Sequence, residues 1–185
     1  MELEKEIKKF LKNEFITLSV IGAMGQGKPA YVGKEGKHRE PFKKYLRKEL
    51  SRIGEEYINS DSKIREEKHI QNIENFSNNT KKFGKELLVY GQLNIGRTQK
   101  LINLYLKYLW TWGEMTGKNG PPHCPFDEKI ITYLEKKTGK ELFKPWTGLM
   151  DIKEYKKYID AAKKVAEESG FCSVAEWELA TWNNR

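Results

Sequence analysis

The sequence predicts an all-α protein in which residues 1–185 form one compact helical bundle. Apolar residues recur three and four positions apart along most of the 185-residue chain, which is the spacing of one face of a helix. The sequence shows neither an internal repeat nor the alternation of strands and helices that builds a parallel sheet. Its length suffices to bury a core without disulfides or metal ions. We therefore expect a single domain.

The first predicted helix covers residues 2–12, whose apolar positions follow helical spacing at Leu3, Ile7, Phe10 and Leu11. The β-like run 15–21 follows and is either one short extended segment or a buried turn of helix. Glu and Lys alternate in the first helix, so the apolar centre of a secretion signal is missing. The two cysteines lie outside any CxxC pair. Together these features predict a cytoplasmic location.

Residues 22–40 are rich in glycine, lysine and histidine and predict a basic, flexible loop. The segment 22–28 also fits G-x4-G-K, the first part of a phosphate-binding loop. Pro29 then stands where that motif needs a Ser or Thr to hold magnesium. We therefore interpret this segment as a loop and not as a nucleotide site.

A basic amphipathic helix is predicted from residue 41, with an apolar face formed by Phe42, Tyr45, Leu46, Leu50 and Ile53. Its other faces carry Lys43, Lys44 and Arg47. These side chains would suit contacts with nucleic-acid phosphates, and they would equally suit a solvated helix surface.

Residues 98–112 are the most apolar stretch and predict a central, buried helix. Its polar residues fall on one face, at Lys100, Asn103, Lys107 and Thr111. A lysine amine removed from water is favoured in its neutral, nucleophilic form and can form a Schiff base. The same stripe would also fit a helix flank that reaches water. Other helices are predicted at 63–79, 80–89, 128–137 and 151–168, with a last one from 173.

The segments on either side of the central helix carry the remaining candidate residues. Before it, residues 93–97 predict a tight hairpin, because Asn94 and Gly96 tolerate positive φ. The free backbone N–H groups at the N-terminus of the following helix would then face a phosphate. After it, a proline-rich segment leads to Asp127, which begins the next helix. Asp127 is either a plain N-cap or a functional carboxylate.

This order of hairpin, lysine-bearing helix and proline-to-aspartate helix start, over residues 90–135, resembles the helix-hairpin-helix DNA glycosylases. The long loop before Asp127 is most similar to the archaeal 8-oxoguanine glycosylases of that superfamily. The resemblance implies that the hairpin grips the DNA backbone through Asn94, Ile95, Gly96, Arg97 and Thr98. It also implies that Asp127 assists departure of a flipped base. Bifunctional members add a lysine nucleophile, for which Lys100 is the first candidate and Lys107 the second.

A flipped base needs aromatic and polar partners, which we expect from Trp110, Phe126, Trp146 and Asn103. His123 and Cys124 have no second pair at ligand spacing, so no metal ion is expected. No cofactor is expected either. No stretch reaches the roughly 18 apolar residues that span a bilayer, so we expect no membrane partner.

The charge balance favours a polyanionic partner. The chain has 34 Lys and Arg against 26 Asp and Glu, a net charge of +8. Our leading hypothesis is a monomeric glycosylase of double-stranded DNA, with or without lyase activity, in repair or in defence against foreign DNA. The alternative is a non-catalytic helical protein that binds DNA or RNA. A third hypothesis is a protein-interaction module whose charge only maintains solubility.

Overall fold

The computed structural model describes residues 2–25, 29–33, 39–115, 120–143 and 145–183. The helices in these ranges are α1 (Glu2–Met24), α2 (Glu40–Ile58), α3 (Glu66–Asn79), α4 (Gly84–Leu87), α5 (Ile95–Thr111), α6 (Glu128–Thr138), α7 (Ile152–Glu168) and α8 (Val174–Asn183). Short 3-10 turns lie at Thr80–Phe83 and Trp146–Gly148. The described residues contain no strand, so the prediction of an all-α fold is confirmed.

α5 is the centre of the structure. It contacts α1, α2, α3, α7 and the 146–148 turn, while α6 packs on α7 and α7 on α8. Every residue from Ile95 to Asn103 is buried. The prediction of a central buried helix is therefore confirmed, although the helix begins three residues earlier than the pattern indicates.

α1 runs without interruption through residues 15–21, so the extended alternative for this run is wrong. Ile16, Ser19 and Ala23 are buried at helical spacing, and α1 lies along α5. A Cβ added at Gly22 would lie 2.8 Å from Leu104 Cδ2, so this glycine lets the two helices approach closely. The apolar residues of the run reflect packing against α5 rather than strand pairing.

The predicted loop 22–40 begins later than expected because α1 continues to Met24. Residues 26–28 and 34–38 lie outside the described residues, and with them the last three residues of the G-x4-G-K match. Between them, Tyr31 forms an isolated antiparallel bridge with Leu88. The extended backbone of this region therefore pairs with the segment after α4.

α2 confirms the predicted amphipathic helix. Its fully buried face contains Phe42, Leu46, Leu50 and Ile53, and Tyr45 is half-buried. Lys43, Lys44 and Arg47 are exposed, and Lys43 Nζ lies 2.7 Å from the Glu40 carboxylate. Their contact with phosphates stays a prediction.

The hairpin predicted at residues 93–97 is not confirmed, because the chain is already helical from Ile95. Asn94 has a φ of −69° and is the N-cap of α5, accepting a hydrogen bond from the backbone N–H of Arg97 at 3.0 Å. Gly96 does not have positive φ, and its N–H donates to the Leu149 carbonyl at 3.0 Å. The backbone N–H groups expected to face a phosphate are therefore used inside the protein.

The side chains that were predicted to contact the DNA backbone are also buried, and their polar groups form hydrogen bonds inside the protein. Asn94 Nδ2 donates to the Thr147 carbonyl at 2.7 Å, and Arg97 Nη1 donates to the Ala23 carbonyl at 2.6 Å. The Thr98 hydroxyl donates to the Asn94 carbonyl at 2.8 Å. Ile95 and Gly96 are buried as well. In this structure these five residues join α5 to its neighbours and do not form a DNA-facing surface.

Gly96→Ala should destabilise the protein by about 3 kcal/mol through overpacking, although helix propensity alone would favour alanine. The added Cβ would lie 1.8 Å from the Trp146 carbonyl oxygen. The control is Gly148→Ala, whose Cβ meets only the Tyr90 hydroxyl at 3.5 Å. Urea denaturation of the three proteins tests this, and equal stability of the Gly96 variant and wild type would contradict the close approach.

Candidate active site

A cavity of about 270 Å³ lies between α1, α5, α8 and the start of α6, and we call it the Lys100 cavity. It is lined by Leu18, Ile21, Gly22, Lys100, Leu104, Lys107, Tyr108, Pro125, Asp127, Glu178 and Trp182. All three predicted catalytic residues, Lys100, Lys107 and Asp127, are among them. A larger hollow of about 380 Å³ lies between α6 and α8, and it contains none of the three.

Lys100 and Asp127 are in contact although they lie 27 positions apart in sequence. Lys100 Nζ is 3.5 Å from Asp127 Oδ2, and the two side chains are 6% and 17% exposed. Asp127 Oδ1 accepts a hydrogen bond from the Ile130 N–H at 3.1 Å. One carboxylate oxygen therefore caps α6, as the plain N-cap interpretation predicts, and the other faces the lysine. The cavity thus contains a potential nucleophile beside a potential acid-base group.

Lys107 forms a second ion pair in the same cavity. Its Nζ lies 2.7 Å from Glu178 Oε2, with side-chain exposures of 12% and 3%. The Lys107 amine also lies 5.2 Å from the centre of the Trp182 ring. Glu178 is 71 positions away and was not identified from the sequence. No spacing signal connects α8 with α5, so only their packing identifies this residue.

The four residues expected in the base pocket lie elsewhere. Phe126 is fully buried against Tyr155 and Tyr158, with ring centres 5.8 and 5.6 Å apart. The ring of half-buried Trp110 faces Gly120. Phe126 therefore belongs to the hydrophobic core, and Trp110 packs against that core.

Trp146 and Asn103 are also absent from the lining of the Lys100 cavity. Trp146 is 4% exposed, and its ring centre lies 4.6 Å from Lys100 Nζ, so the ring packs against the lysine amine. Asn103 is fully buried in a hydrogen-bond network. The aromatic rings that do line the cavity belong to Tyr108 and Trp182.

Asn103 is the centre of that buried network. Its Nδ2 lies 2.9 Å from the Cys124 carbonyl, which can only accept, so the amide orientation is fixed. Its Oδ1 then accepts from His69 Nε2 at 2.8 Å. Burial lowers the pKa of His69 well below its usual value, so the imidazole is neutral and its Nδ1 accepts from the Tyr57 hydroxyl at 2.6 Å.

The network continues to the surface through His123. The Tyr155 hydroxyl lies 3.2 Å from Asn103 Nδ2 and 2.8 Å from His123 Nδ1. His123 Nε2 lies 3.5 Å from the Glu66 carboxylate, which in turn pairs with Lys163 at 2.6 Å. The contact with His123, and to a smaller extent the contact with Lys163, lowers the pKa of Glu66 to about 2, although partial burial opposes this shift. The chain of polar contacts thus joins α2, α3, α5 and α7.

Burial also shifts the pKa values of His123 and Cys124, the two residues that were considered as metal ligands. Burial lowers the pKa of His123 although Glu66 opposes it, and burial raises the pKa of the Cys124 thiol well above its usual value. Within the described ranges, no three His, Cys, Asp or Glu side chains are grouped so that they could hold a metal ion.

Comparison of the chain with protein families, curated proteins and solved structures finds no match. None of the helices in the described part of the chain has the length and apolar composition that crossing a membrane requires.

The buried histidines should make stability depend on pH between about 6.5 and 5. Burial lowers the pKa of His69 well below its usual 6.5, and that of His123 is lowered as well. As the pH falls below 6.5, the unfolded chain binds protons that the folded protein excludes. The free energy of unfolding should therefore fall, by up to about 1.4 kcal/mol per pH unit for each histidine.

Urea denaturation of wild type and His69→Gln across this range tests the effect. The glutamine variant should show a shallower dependence, because one of the two buried imidazoles is gone. Parallel curves for the two proteins would mean that folding does not lower the pKa of His69.

Proposed function

We propose that this protein is a DNA glycosylase that releases a damaged or modified base in the Lys100 cavity. The contact between Lys100 and Asp127 inside that cavity is the observation on which the proposal depends. Two residues that the glycosylase resemblance singles out from distant parts of the chain lie within 3.5 Å of each other. A structural N-cap alone would not require a buried lysine beside its second oxygen.

The proposed chemistry uses the amine and the carboxylate in turn. The Asp127 carboxylate stabilises the positive charge that develops on the sugar as the base leaves. The Lys100 ammonium first gives a proton to Asp127, and the resulting amine attacks C1′. The bond from C1′ to the base nitrogen breaks, and the departing base takes the proton from Asp127, which then accepts the second proton of the attached amine. Breaking the bond from C1′ to the ring oxygen then gives a Schiff base and a sugar hydroxyl. Water hydrolyses the Schiff base and restores Lys100.

The surroundings of the cavity favour a flat, partly apolar substrate. Leu18, Ile21 and Trp182 line it, yet they are 46%, 60% and 47% exposed. Exposed apolar and aromatic side chains beside a cavity suit an unstacked base that leaves the duplex. The net charge of +8 would attract the DNA backbone. Because residues 94–98 are buried, the phosphate contacts must come from other residues, for which exposed Lys43, Lys44 and Arg47 are candidates.

The second candidate function is a non-catalytic DNA- or RNA-binding protein. The positive net charge and the exposed basic residues of α2 favour it. It predicts salt-sensitive binding without any chemistry. The two candidates therefore differ in one measurable property, the release of a base.

Asp127→Asn should abolish base release, with a loss of about 100-fold or more, while DNA binding is retained. Asparagine is as good an N-cap as aspartate, so the variant should stay folded. The assay uses end-labelled oligonucleotides with oxidised, deaminated and hypermodified bases, followed by alkali. Intact strands across the whole panel with wild-type protein, together with retained binding, would favour the non-catalytic candidate.

Borohydride trapping should identify the nucleophile. Lys100→Gln should lose the trapped protein–DNA adduct, because the amine beside Asp127 is gone. The matched control is Lys107→Gln, which removes the neighbouring cavity lysine and should retain the adduct. Trapping that survives in the Lys100 variant and disappears in the Lys107 variant would assign the role to Lys107. Base release without trapping in wild type would indicate a glycosylase that uses water as nucleophile.

A further inference from the structure

The segment that ends in Asp127 is held by a side chain from α5. Gln99 Nε2 donates to the Phe126 carbonyl at 2.7 Å, and Gln99 Oε1 accepts from the Phe126 N–H at 3.1 Å. One side-chain amide thus satisfies both backbone groups of the residue directly before Asp127. Gln99 and Phe126 are both 0% exposed, so water is not available to replace either hydrogen bond.

Asn103 supports the same segment from one helical turn further along α5. Its Nδ2 donates to the Cys124 carbonyl at 2.9 Å and lies 3.2 Å from Gln99 Oε1. The segment 120–126 lies outside any helix, and its prolines lack backbone N–H groups. Its backbone therefore depends on side chains of α5 for its position.

We propose that Gln99 is a positioning residue that sets the distance between the Asp127 carboxylate and the Lys100 amine. Gln99 directly precedes Lys100, so one turn of α5 carries both the Lys100 amine and the Gln99 amide. The Gln99 amide holds the backbone of the residue that precedes Asp127. The inference rests on the proposed function for its catalytic consequence, but the positioning itself is a property of the folded protein. Asn103, expected in the base pocket from the sequence, supports Gln99 in this role.

Gln99→Met should lower the rate of base release about 10- to 100-fold, as a displacement near 1 Å does, and leave DNA binding unchanged. Methionine keeps the length of the side chain and removes both hydrogen bonds to Phe126. The matched control is Gln92→Met, because Gln92 donates to Ser77 Oγ, at 3.2 Å, and does not line the cavity. The control should stay within about twofold of wild type.

Gln99→Glu adds a test that loss of stability alone would not reproduce. The protonated acid can donate to the Phe126 carbonyl and accept from its N–H, which restores both bonds, whereas the ionised form cannot donate. Burial raises the pKa of such an acid, so the exchange falls in an accessible range. The rate relative to wild type should therefore rise as the pH is lowered. A ratio that does not change with pH would overturn the role of these hydrogen bonds.

The last measurement tests the effect of Gln99 on the Lys100–Asp127 contact independently of base release. In protein labelled with 13C at lysine Cε, the Lys100 signal is assigned by its loss in Lys100→Gln. Asp127→Asn should shift this signal, Gln99→Met should shift it in the same direction, and Gln92→Met should leave it in place. An unchanged Lys100 signal in Gln99→Met overturns the inference even if the protein is a glycosylase. A shifted signal in a protein that releases no base supports the positioning and refutes the proposed function.

Discussion

Complete burial of the first half of α5 obliges every polar group there to find a partner inside the protein, because an unpaired buried group is costly. Several of these groups form hydrogen bonds with distant segments. Arg97 binds the end of α1, Asn94 binds the 146–148 turn, and Gln99 binds the segment before α6. Polar side chains on one helix therefore hold three surrounding segments in place. We expect the relative positions of these segments to be more sensitive to changes in α5 than to changes in the loops themselves.

The Lys100 cavity follows from the same helix. Lys100 and Lys107 lie seven positions apart, and each meets a carboxylate from another element, Asp127 at the start of α6 and Glu178 in α8. Two ion pairs of low exposure at one cavity are costly to maintain, and loss of one partner leaves an uncompensated charge. Such an arrangement is more readily explained by chemistry or recognition than by stability. This is why the cavity, rather than the larger hollow between α6 and α8, carries the proposed function.

The position of Arg97 shows why a local motif can indicate the wrong contact. An arginine after a glycine at a helix start fits a phosphate site, since its guanidinium and the helix N-terminus both attract anions. Here the guanidinium donates to the Ala23 carbonyl, and the N-terminal N–H groups are satisfied by Asn94 and Leu149. The Ala23 carbonyl, which is buried at the end of α1, takes the place that a phosphate oxygen would have as acceptor. The sequence around Arg97 does not show whether a phosphate oxygen or a backbone carbonyl accepts its hydrogen bond.

The sequence by itself determined the helical class, the burial of α5 and the start of a helix at Asp127, because apolar spacing and N-cap chemistry are local properties. Only the tertiary structure decided that residues 15–21 are helical, that residues 94–98 face inward, and that Glu178 and Trp182 line the cavity. These outcomes depend on which elements pack against α5. Packing brings together residues that are far apart in the chain, and no local pattern specifies such contacts.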